Sequence, residues 1–455
     1  MSEVTTQAAQ PPATPIYILR GHASPIHALH LFNRNLRLVS ADANGWIVVW
    51  DLVMKRPVAV WKAHEGAVLE VKAFAFHNGV ETDVYTHGRD HKLRVWRFRR
   101  QDEEILQKTL PVDVSEGAQS DSASQPWLVH SLSVNALNFC AFAILFIGGG
   151  SGAGNSQQDP SPEEASSPPQ SQSSPRSAVL IAVPNALNSG AIDIFHLPSE
   201  RRVCTIPADT AVQTGMVMAA SLFTTSSGDL YVACAFEDGH VAVFARRGPV
   251  KAHDIAQGAA SSWKWEKLYA CRPHTQPVLS IDVFPRGNYF LSSSADALLV
   301  KHPIPPLNRA RPLPGNRPED ATLKTVNTKH AGQQGLRIRS DGKVFATAGW
   351  DSRIRVYSCK TMRELAVLKW HKEGCYTVAF ADVSKVADLN DMSTDERSVG
   401  KRESEVDDGH RQLARRDQGS YTLEAVQHQR SQKVQQTHWL AAGSKDGKIS
   451  LWDIY

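Results

Sequence analysis

The fold is decided by a stretch near the start of the chain, LRGHASPIHALHLF (Leu19–Phe32), followed by LRLVSADANGWIVVWDL (Leu36–Leu52). Apolar residues recur at every second position in these runs, which is typical of β-strands. Asn44-Gly45 separates the last two runs and is a hairpin turn signal. The stretch therefore predicts a unit that begins with a His, continues through short antiparallel strands and closes on an aromatic residue followed by Asp.

The same unit recurs along the chain. A blade of a β-propeller takes roughly 40–45 residues, and most closing aromatic positions are about one blade apart, while two gaps hold one blade plus an insertion. Seven copies fill the sequence, so we predict an all-β, seven-bladed propeller. The copies cover Leu19–Leu52, Trp61–Phe98, Leu132–Leu197 (its first strand within Leu132–Ile147), a stretch ending in Leu230–Ala245, His274–Ile304, Lys329–Ser358 and, in two parts, Trp370–Phe380 and His438–Tyr455, with closing positions Trp50, Trp96, Phe195, Phe244, His302, Tyr357 and Trp452.

The last copy ends at Tyr455, immediately after its third strand. A blade left with three strands would present an open edge that invites aggregation. The apolar segment Ile16–Arg20 precedes the first His and has no blade of its own, so we expect it to pair with the last blade and close the ring. Residues 1–15 would then be a disordered tail, and residues 16–455 a single domain. The alternative is that Ile16–Arg20 also belongs to the disordered tail.

Two segments interrupt the repeat between the first and second strands of their blades. Residues 148–177, in blade 3, are rich in Gly, Ser, Gln and Pro, and residues 382–436 or so, in blade 7, are highly charged. Neither can bury enough apolar surface to offset chain ordering, so both are predicted to be disordered. They are either tolerated loop expansions or tethers for a partner, and both would leave the opposite face of the propeller open.

Composition excludes several classes of protein. Lys and Arg number 50 against 46 Asp and Glu, and the net charge of +4 gives no basic face for DNA. The N-terminus lacks the apolar core of a secretory signal, and no run is long enough to span a bilayer. No HExxH, clustered Cys/His or Walker motif is present, so we expect no metal and no cofactor. Six cysteines without a CxxC pair are expected to be reduced and intracellular: Cys140, Cys204, Cys234, Cys271, Cys359 and Cys375.

Most copies offer a His, a Ser or Thr, an Asp and an aromatic residue. Such a set resembles catalytic machinery, but it recurs around the ring, whereas a catalytic site occurs once. We therefore interpret it as a hydrogen-bond network that locks each blade. Asn44 stands where copy one should have Asp, and Ala442 where copy seven should have a hydroxyl; copies three, four and five lack parts and should be least rigid. The predicted blade-locking residues are His22, Ser40, Trp50, His64, Thr86, Asp90, Trp96, Asp296, Thr347, Asp351, Tyr357, His371, Asp446 and Trp452, with His330 as the histidine of copy six.

Exposed turns supply the candidate binding residues. Trp and Arg are enriched at binding hot spots, and both occur in or beside turns between second and third strands; the alternative is that they are spectators. The basic stretch Lys92–Arg100 could be a nucleic-acid or import patch. Its Arg residues alternate along a strand, however, so we favour the alternative that they form a solvated blade face. These exposed turns give Trp46, Arg89, Trp350 and Lys445 as predicted partner-binding residues on the open face.

The repeats resemble WD40 propellers, with Gly21-His22 opening a blade and Trp50-Asp51 and Trp452-Asp453 closing two. More narrowly, PIYILRGHASPIHALHLF, THGRDHKLRVWRF and HWLAAGSKDGKISLWDIY look like the fungal ASTRA-associated protein 1 family. This resemblance implies a subunit of the ASTRA complex that acts as a chromatin regulator in the nucleus and is also found in the cytoplasm. It also implies association with the machinery that matures phosphatidylinositol-3-kinase-related kinases and with RuvB-like ATPases. In that family the residue just before the turn Asp is often a contact residue on the open face, which adds Glu237 to the partner-binding residues and again implies Arg89, Trp350 and Lys445.

Three hypotheses for function remain at this point. The first is a non-catalytic scaffold for protein–protein interaction, monomeric within a hetero-complex, without direct contact to nucleic acid or membrane. The second is a reader of modified peptides such as histone tails, which requires an aromatic cage or acidic pocket at the channel mouth. The third is an enzyme with its active site in the channel, for which the sequence offers no converging acid, base and nucleophile.

Overall fold

The computed structural model describes residues 13–113, 124–135, 139–147, 178–210, 212–250, 255, 263–307, 322–383 and 423–454. Strands within these ranges form seven antiparallel sheets of four strands each, arranged in a ring. The predicted seven-bladed β-propeller is confirmed.

Each blade is an antiparallel meander whose first strand lies at the central channel. One expectation needs correction: Leu132 belongs to the outer strand of blade 2, and the first strand of blade 3 begins later, at Ala143. The strands are β1 Tyr17–Arg20; in blade 1, β2 Ile26–Phe32, β3 Arg37–Asp42, β4 Trp46–Asp51 and β5 Arg56–Lys62; in blade 2, β6 Val68–Phe76, β7 Glu81–Gly88, β8 Lys92–Arg99 and β9 Trp127–Ser133; in blade 3, β10 Ala143–Ile147, β11 Ala178–Pro184, β12 Ile192–Leu197 and β13 Arg201–Ile206; in blade 4, β14 Val217–Thr224, β15 Leu230–Phe236, β16 Val241–Arg246 and β17 Glu266–Cys271; in blade 5, β18 Val278–Val283, β19 Tyr289–Ser294, β20 Leu298–Pro303 and β21 Lys324–Asn327; in blade 6, β22 Gln333–Ile338, β23 Val344–Gly349, β24 Arg353–Ser358 and β25 Glu364–Lys369; and in blade 7, β26 Cys375–Phe380, β27 Trp439–Ser444 and β28 Lys448–Asp453.

The N-terminal strand closes the ring. β1 pairs antiparallel with β28, with Leu19 opposite Ile449, and becomes the outer strand of blade 7. Leu19 is buried in the apolar cluster that joins blade 7 to blade 1. The predicted closure is confirmed. β1 supplies the hydrogen bonds that the edge of β28 would otherwise lack, and Leu19 adds a side chain to the core.

Seven apolar clusters hold the blades together, one at each interface between neighbouring blades. Between blades 7 and 1, for example, Ile26 and Trp50 pack against Ile449 and Leu451. Burying an aliphatic or aromatic side chain of this size contributes about 1.5–3 kcal/mol. The core is therefore spread around the ring, and stability depends on every blade having two neighbours.

The insertion in blade 7 contains an element that the sequence did not predict. Residues 384–422 lie outside the described residues, as do 1–12 and 148–177, so their predicted disorder stays a prediction. However, Leu423–Gln436 forms a helix, α1, where disorder was expected. Val434 of α1 is buried, and Asn35 donates to Gln435 O at 3.3 Å, so the end of this polar helix is held by contacts with blades 7 and 1.

Shorter helices and the cysteines complete the description. Among the described residues of blade 2 and its outer connection, three 3₁₀ helices lie at His77–Gly79, Arg100–Glu104 and Pro111–Asp113. All six cysteines are free. None of the described helices is long and apolar enough to cross a membrane.

Blades 1 and 2 carry complete side-chain networks. In blade 1, His22 Nδ1 lies 2.8 Å from Asp42 Oδ2, and Trp50 Nε1 donates to Ser40 Oγ at 2.8 Å. His22 Nε2 is 2.7 Å from the same hydroxyl. Asp42 therefore supplies the carboxylate that the repeat predicts at position 44, because it ends β3 and reaches the imidazole while its other oxygen accepts the Asn44 N–H.

In blade 2 the four predicted residues meet. His64 Nδ1 lies 2.8 Å from Asp90 Oδ1, and His64 Nε2 lies 2.8 Å from Thr86 Oγ1. Trp96 Nε1 donates to that hydroxyl at 3.1 Å. The network therefore joins His64, in the link that enters blade 2, to the strands of blade 2, as predicted.

Blade 5 has a complete network of different composition. His274 Nδ1 lies 3.1 Å from Asp296, and His274 Nε2 lies 2.7 Å from Ser292 Oγ. His302 Nε2 is 2.8 Å from the same hydroxyl, and Tyr269 Oη is 3.0 Å from His302 Nδ1. The expectation that blade 5 lacks part of its network is wrong, because an imidazole takes the place of the indole.

Blade 7 obtains its hydroxyl from another strand. Ser450 on β28 lies directly opposite Ala442 on β27. Its Oγ is 2.8 Å from His371 Nε2 and accepts from Trp452 Nε1 at 2.8 Å, while Asp446 is 3.7 Å from the imidazole. A hydroxyl can cross the ladder in this way because opposed side chains share one face of the sheet.

Blade 6 departs from the predicted set. His330 is exposed, and its ring lies 3.6 Å from Asp351. The buried Gln333 takes its place and accepts from Thr347 Oγ1 at 2.6 Å. Asp351 is instead held by Arg355 at 2.5 Å, and Tyr357 is buried against Phe345 at 5.0 Å between ring centroids.

We expect removal of β1 to open the ring. Deleting residues 1–20 removes the hydrogen bonds between β1 and β28 and the buried Leu19. The free energy of unfolding should therefore fall by at least about 3 kcal/mol in a chemical denaturation experiment. The matched control is deletion of residues 2–12, which keeps β1. Equal stability of the two truncated proteins would contradict ring closure.

We expect Ser450→Ala to destabilise blade 7 by about 1–3 kcal/mol, because His371 and Trp452 lose a buried partner. Adding Ala442→Ser places a hydroxyl across the ladder, where blades 1, 2 and 5 carry theirs, and should restore part of the loss. Thermal denaturation measures both effects. If the double variant is no more stable than Ser450→Ala, Ser450 does not replace the hydroxyl that other blades carry at the position of Ala442.

We expect stability to decline below pH 6.5. Burial lowers the pKa of His87 to about 3, and burial also lowers the pKa of His64 and of His302 from the usual 6.5. The unfolded chain then binds more protons than the folded chain, so the free energy of unfolding is retained above pH 6.5 and is lost as pH falls from 6.5 toward the folded pKa values. Denaturation at pH 7.5 and pH 5 checks this, and His302→Phe should show a smaller difference between the two; an equal or larger one would count against it.

Candidate interaction surface

The turns between second and third strands define one end of the propeller, which we call the open face. Because strand direction alternates within each blade, these turns and the links between blades emerge together, while the connections between first and second strands, including α1, lie at the opposite end. The turns that form the open face are residues 43–45, 89–91, 185–191, 237–240, 295–297, 350–352 and 445–447.

Trp350 is the most prominent aromatic side chain of this face. It is 48% exposed, and its Nε1 donates to Gln334 Oε1 at 2.6 Å. The indole packs over Gly332, where a Cβ would come within 2.1 Å of the ring. Gly332 also has a φ of +73°, so the backbone and the close approach both require glycine. Trp350 is therefore a rigid platform held out to solvent.

Arg89 forms a second exposed feature with Phe139, a residue that the sequence did not single out. The Arg89 guanidinium lies 4.4 Å from the centroid of the Phe139 ring, which is 46% exposed. Arg89 belongs to the turn of blade 2, and Phe139 to the link into blade 3. Stacking of this kind orients both side chains before a partner arrives.

The other three predicted residues are engaged in different ways. Trp46 is half-buried and packs against the cluster between blades 7 and 1, so it is partly a core residue. Glu237 accepts the backbone N–H of Met216 at 3.3 Å. Lys445 lies 3.8 Å from Glu373, and both side chains are about half exposed.

Trp350 and Lys445 both contact the link between blades 6 and 7, at Gly374. The Lys445 N–H donates to Gly374 O at 2.9 Å, and Gly374 packs against the Trp350 backbone. The ring of Tyr376, nearby on β26, lies 5.8 Å from that of His27 on β2. Sequence analysis missed these inner-strand rings, although the period of two would have shown which positions face the channel.

The channel is crossed by an ion pair. Glu70 on β6 accepts from Arg337 on β22 at 2.8 Å, which joins blade 2 to blade 6. Lys72 lies 4.0 Å from Glu70. Burial raises the pKa of Asp282 and lowers the pKa of Lys72. These charges contact one another or the backbone; they do not form a nucleophile with its base. Within the described ranges, no group of three or more His, Cys, Asp or Glu could hold a metal ion.

The basic stretch on β8 is neutralised by its own blade. Arg97 donates to Asp83 at 2.5 and 2.6 Å, and Arg94 donates to Asp90 at 2.6 Å. Arg99 lies 3.7 Å from Glu81. Paired in this way, the arginines form a blade surface and not a patch for phosphates.

Comparison with known proteins adds a family to this geometry. Residues 15–452 match the family model described as ASTRA-associated protein 1. The chain is 63% identical to ASTRA-associated protein 1 of Aspergillus niger, over 100% of both chains. It is 31% identical to that of Schizosaccharomyces pombe, over 84% of this chain and 97% of the relative, and 28% identical to that of Yarrowia lipolytica, over 97% and 94%.

These matches cover all seven blades, including the closing strand β1. The chain therefore belongs to the ASTRA-associated protein 1 family.

Proposed function

We propose that this protein is a non-catalytic scaffold and a subunit of the ASTRA complex. The names of its relatives support association with that complex. Its role there would be in chromatin remodelling and in maturation of phosphatidylinositol-3-kinase-related kinases. Its direct partners would be a kinase-like cofactor with its chaperone machinery and RuvB-like ATPases, met in the nucleus and also in the cytoplasm.

One observation carries the scaffold assignment. The open face holds side chains out to solvent that are fixed by their neighbours: Trp350 by Gln334 and Gly332, and Arg89 by Phe139. Exposed, pre-oriented Trp and Arg side chains are typical of binding hot spots, since little side-chain entropy is lost when a partner docks.

The polar groups of the core support the same assignment. His, Ser or Thr, and Asp recur together in blades 1, 2 and 5, where each hydroxyl also meets an aromatic partner. The channel charges are paired across the ring by Glu70 and Arg337. A repeated, internally satisfied set is structural, so the surface is where function would lie.

The peptide-reader alternative finds less support. Its two aromatic candidates, Trp46 and Trp350, belong to blades 1 and 6, and blade 7 stands between them. Trp46 is half-buried against the core. A cage for a modified lysine needs several rings around one point, which this pair does not provide.

We expect Trp350→Ala and Arg89→Glu each to reduce recovery of the ASTRA subunits at least fivefold. The variants are expressed with an affinity tag in a fungal host in place of the resident family member, and recovered proteins are quantified by mass spectrometry. Because both side chains are exposed, the melting temperature should stay within about 2 °C of the parent.

The chain offers matched controls away from the open face. Trp127, 77% exposed at the start of β9, gives the Trp→Ala control, and the exposed Arg56 gives the Arg→Glu control. Both should leave recovery unchanged. The proposal fails if the parent protein recovers no ASTRA subunit, or if the open-face variants recover as much as these controls. Binding to histone peptides in place of stable partners would favour the reader.

A further inference from the structure

A cleft lies between blades 3 and 4, at the end nearest the open face. Its volume is about 450 Å³, within the range of pockets that hold a ligand or a partner side chain. Blade 3 contributes Ile192 and Ile206, and blade 4 contributes Phe236, Phe244 and Ala270. Most of these side chains belong to, or pack against, the apolar cluster of this interface.

Blade 4 lacks the network that blades 1, 2 and 5 carry. Phe244 stands at the position of the network indole, and Cys234 at that of the hydroxyl, where its thiol donates to Ala242 O at 3.6 Å. Asp238 is bonded at 2.6 Å to His240 of its own turn and not to a histidine of the preceding link. In blades 1, 2 and 7 an imidazole and an indole occupy the corresponding space; here it stays open.

One side of the cleft follows the outermost strand of the blade. Residues 267–272, from β17 and its end, all line the cleft. Successive side chains of a strand point to opposite faces, so a cleft lined by six consecutive residues runs along the edge of β17. β17 is the last strand in its sheet. An extended peptide can add to such an edge through main-chain hydrogen bonds.

The charges at the mouth of the cleft balance. Lys267 of blade 4 donates to Asp209 of blade 3 at 2.5 Å. Arg272 Nε donates to the backbone oxygen of Asp238 at 3.0 Å, and the Asp238 carboxylate holds His240. The half-buried Phe244, Leu268 and Ala270 supply apolar surface beneath this neutral mouth, which favours an apolar side chain over a charged one.

We propose that this cleft binds an extended segment of a partner protein, which runs along β17 and inserts one large aromatic or aliphatic side chain toward Phe244 and Ile206. The inference rests on the scaffold function proposed above and adds to it a second docking site, distinct from Trp350 and Arg89. Residues of both blade 3 and blade 4 form the cleft, and Phe244, at which blade 4 departs from the repeat, lines it.

The test uses the full chain and a defined probe. The peptide Ac-Ser-Thr-Val-Trp-Val-Thr-Ser-NH2 is titrated into methyl-labelled protein and followed by NMR, and the same peptide with Ser in place of Trp is the matched probe. The Trp peptide should shift the methyl signals of Ile192, Ile206 and Leu268 but not that of Ile354 in blade 6. The Ser peptide should bind at least tenfold more weakly.

Two substitutions fill the cleft. Phe244→Trp introduces the ring that other blades carry, and Ala270→Phe places a ring on β17. Each should weaken binding of the Trp peptide at least tenfold and leave the melting temperature at or above the parent value. Phe195→Trp, the same exchange in blade 3, should bind as the parent does.

The proposal is overturned if the Trp peptide leaves the three methyl signals unmoved, if the Ser peptide binds equally well, or if folded Phe244→Trp and Ala270→Phe proteins bind as the parent. The parent titrations decide the matter even if a variant fails to fold. Since this experiment needs no ASTRA subunit, its failure rejects the cleft alone, whereas the purification experiment above tests the scaffold.

Discussion

The pairing of β1 with β28 is the constraint on which the rest of the structure depends. A propeller blade is stabilised by its two neighbours, and here the last blade takes its outer strand from the start of the chain. The link that follows β1 carries His22, which locks blade 1. One four-residue strand thus fixes blade 7 and positions the network of blade 1, and it couples the two ends of the chain.

Within the closed ring, one network is built in several ways. Blade 5 replaces the indole with His302, blade 7 moves the hydroxyl to Ser450, and blade 6 replaces the imidazole with Gln333. Each exchange keeps a donor and an acceptor in contact at a buried site, where an unpaired polar group would cost about 1–3 kcal/mol. Blade 4 keeps neither the imidazole nor the indole, and a cleft lies at its interface with blade 3.

Sequence periodicity was sufficient for the fold, because strand alternation and a repeat of fixed length are local signals. It was not sufficient for substitutions that depend on pairing. Asp42 and Ser450 lie at other positions along the chain than the residues predicted for their roles, yet Asp42 contacts His22 and Ser450 contacts His371. Nor could it predict α1, whose composition is that of a disordered segment and whose docking depends on Val434. Likewise, Phe139 contacts Arg89 only because the link into blade 3 passes the turn of blade 2.

Amide hydrogen exchange of the native protein tests the central claim most directly. If β1 is an integral strand of blade 7, Tyr17–Arg20 and Lys448–Asp453 should be protected to the same degree and should exchange together, at the rate set by opening of the ring. Exchange of Tyr17–Arg20 at the rate of an unstructured chain, while β28 and the other blades stay protected, would contradict this account.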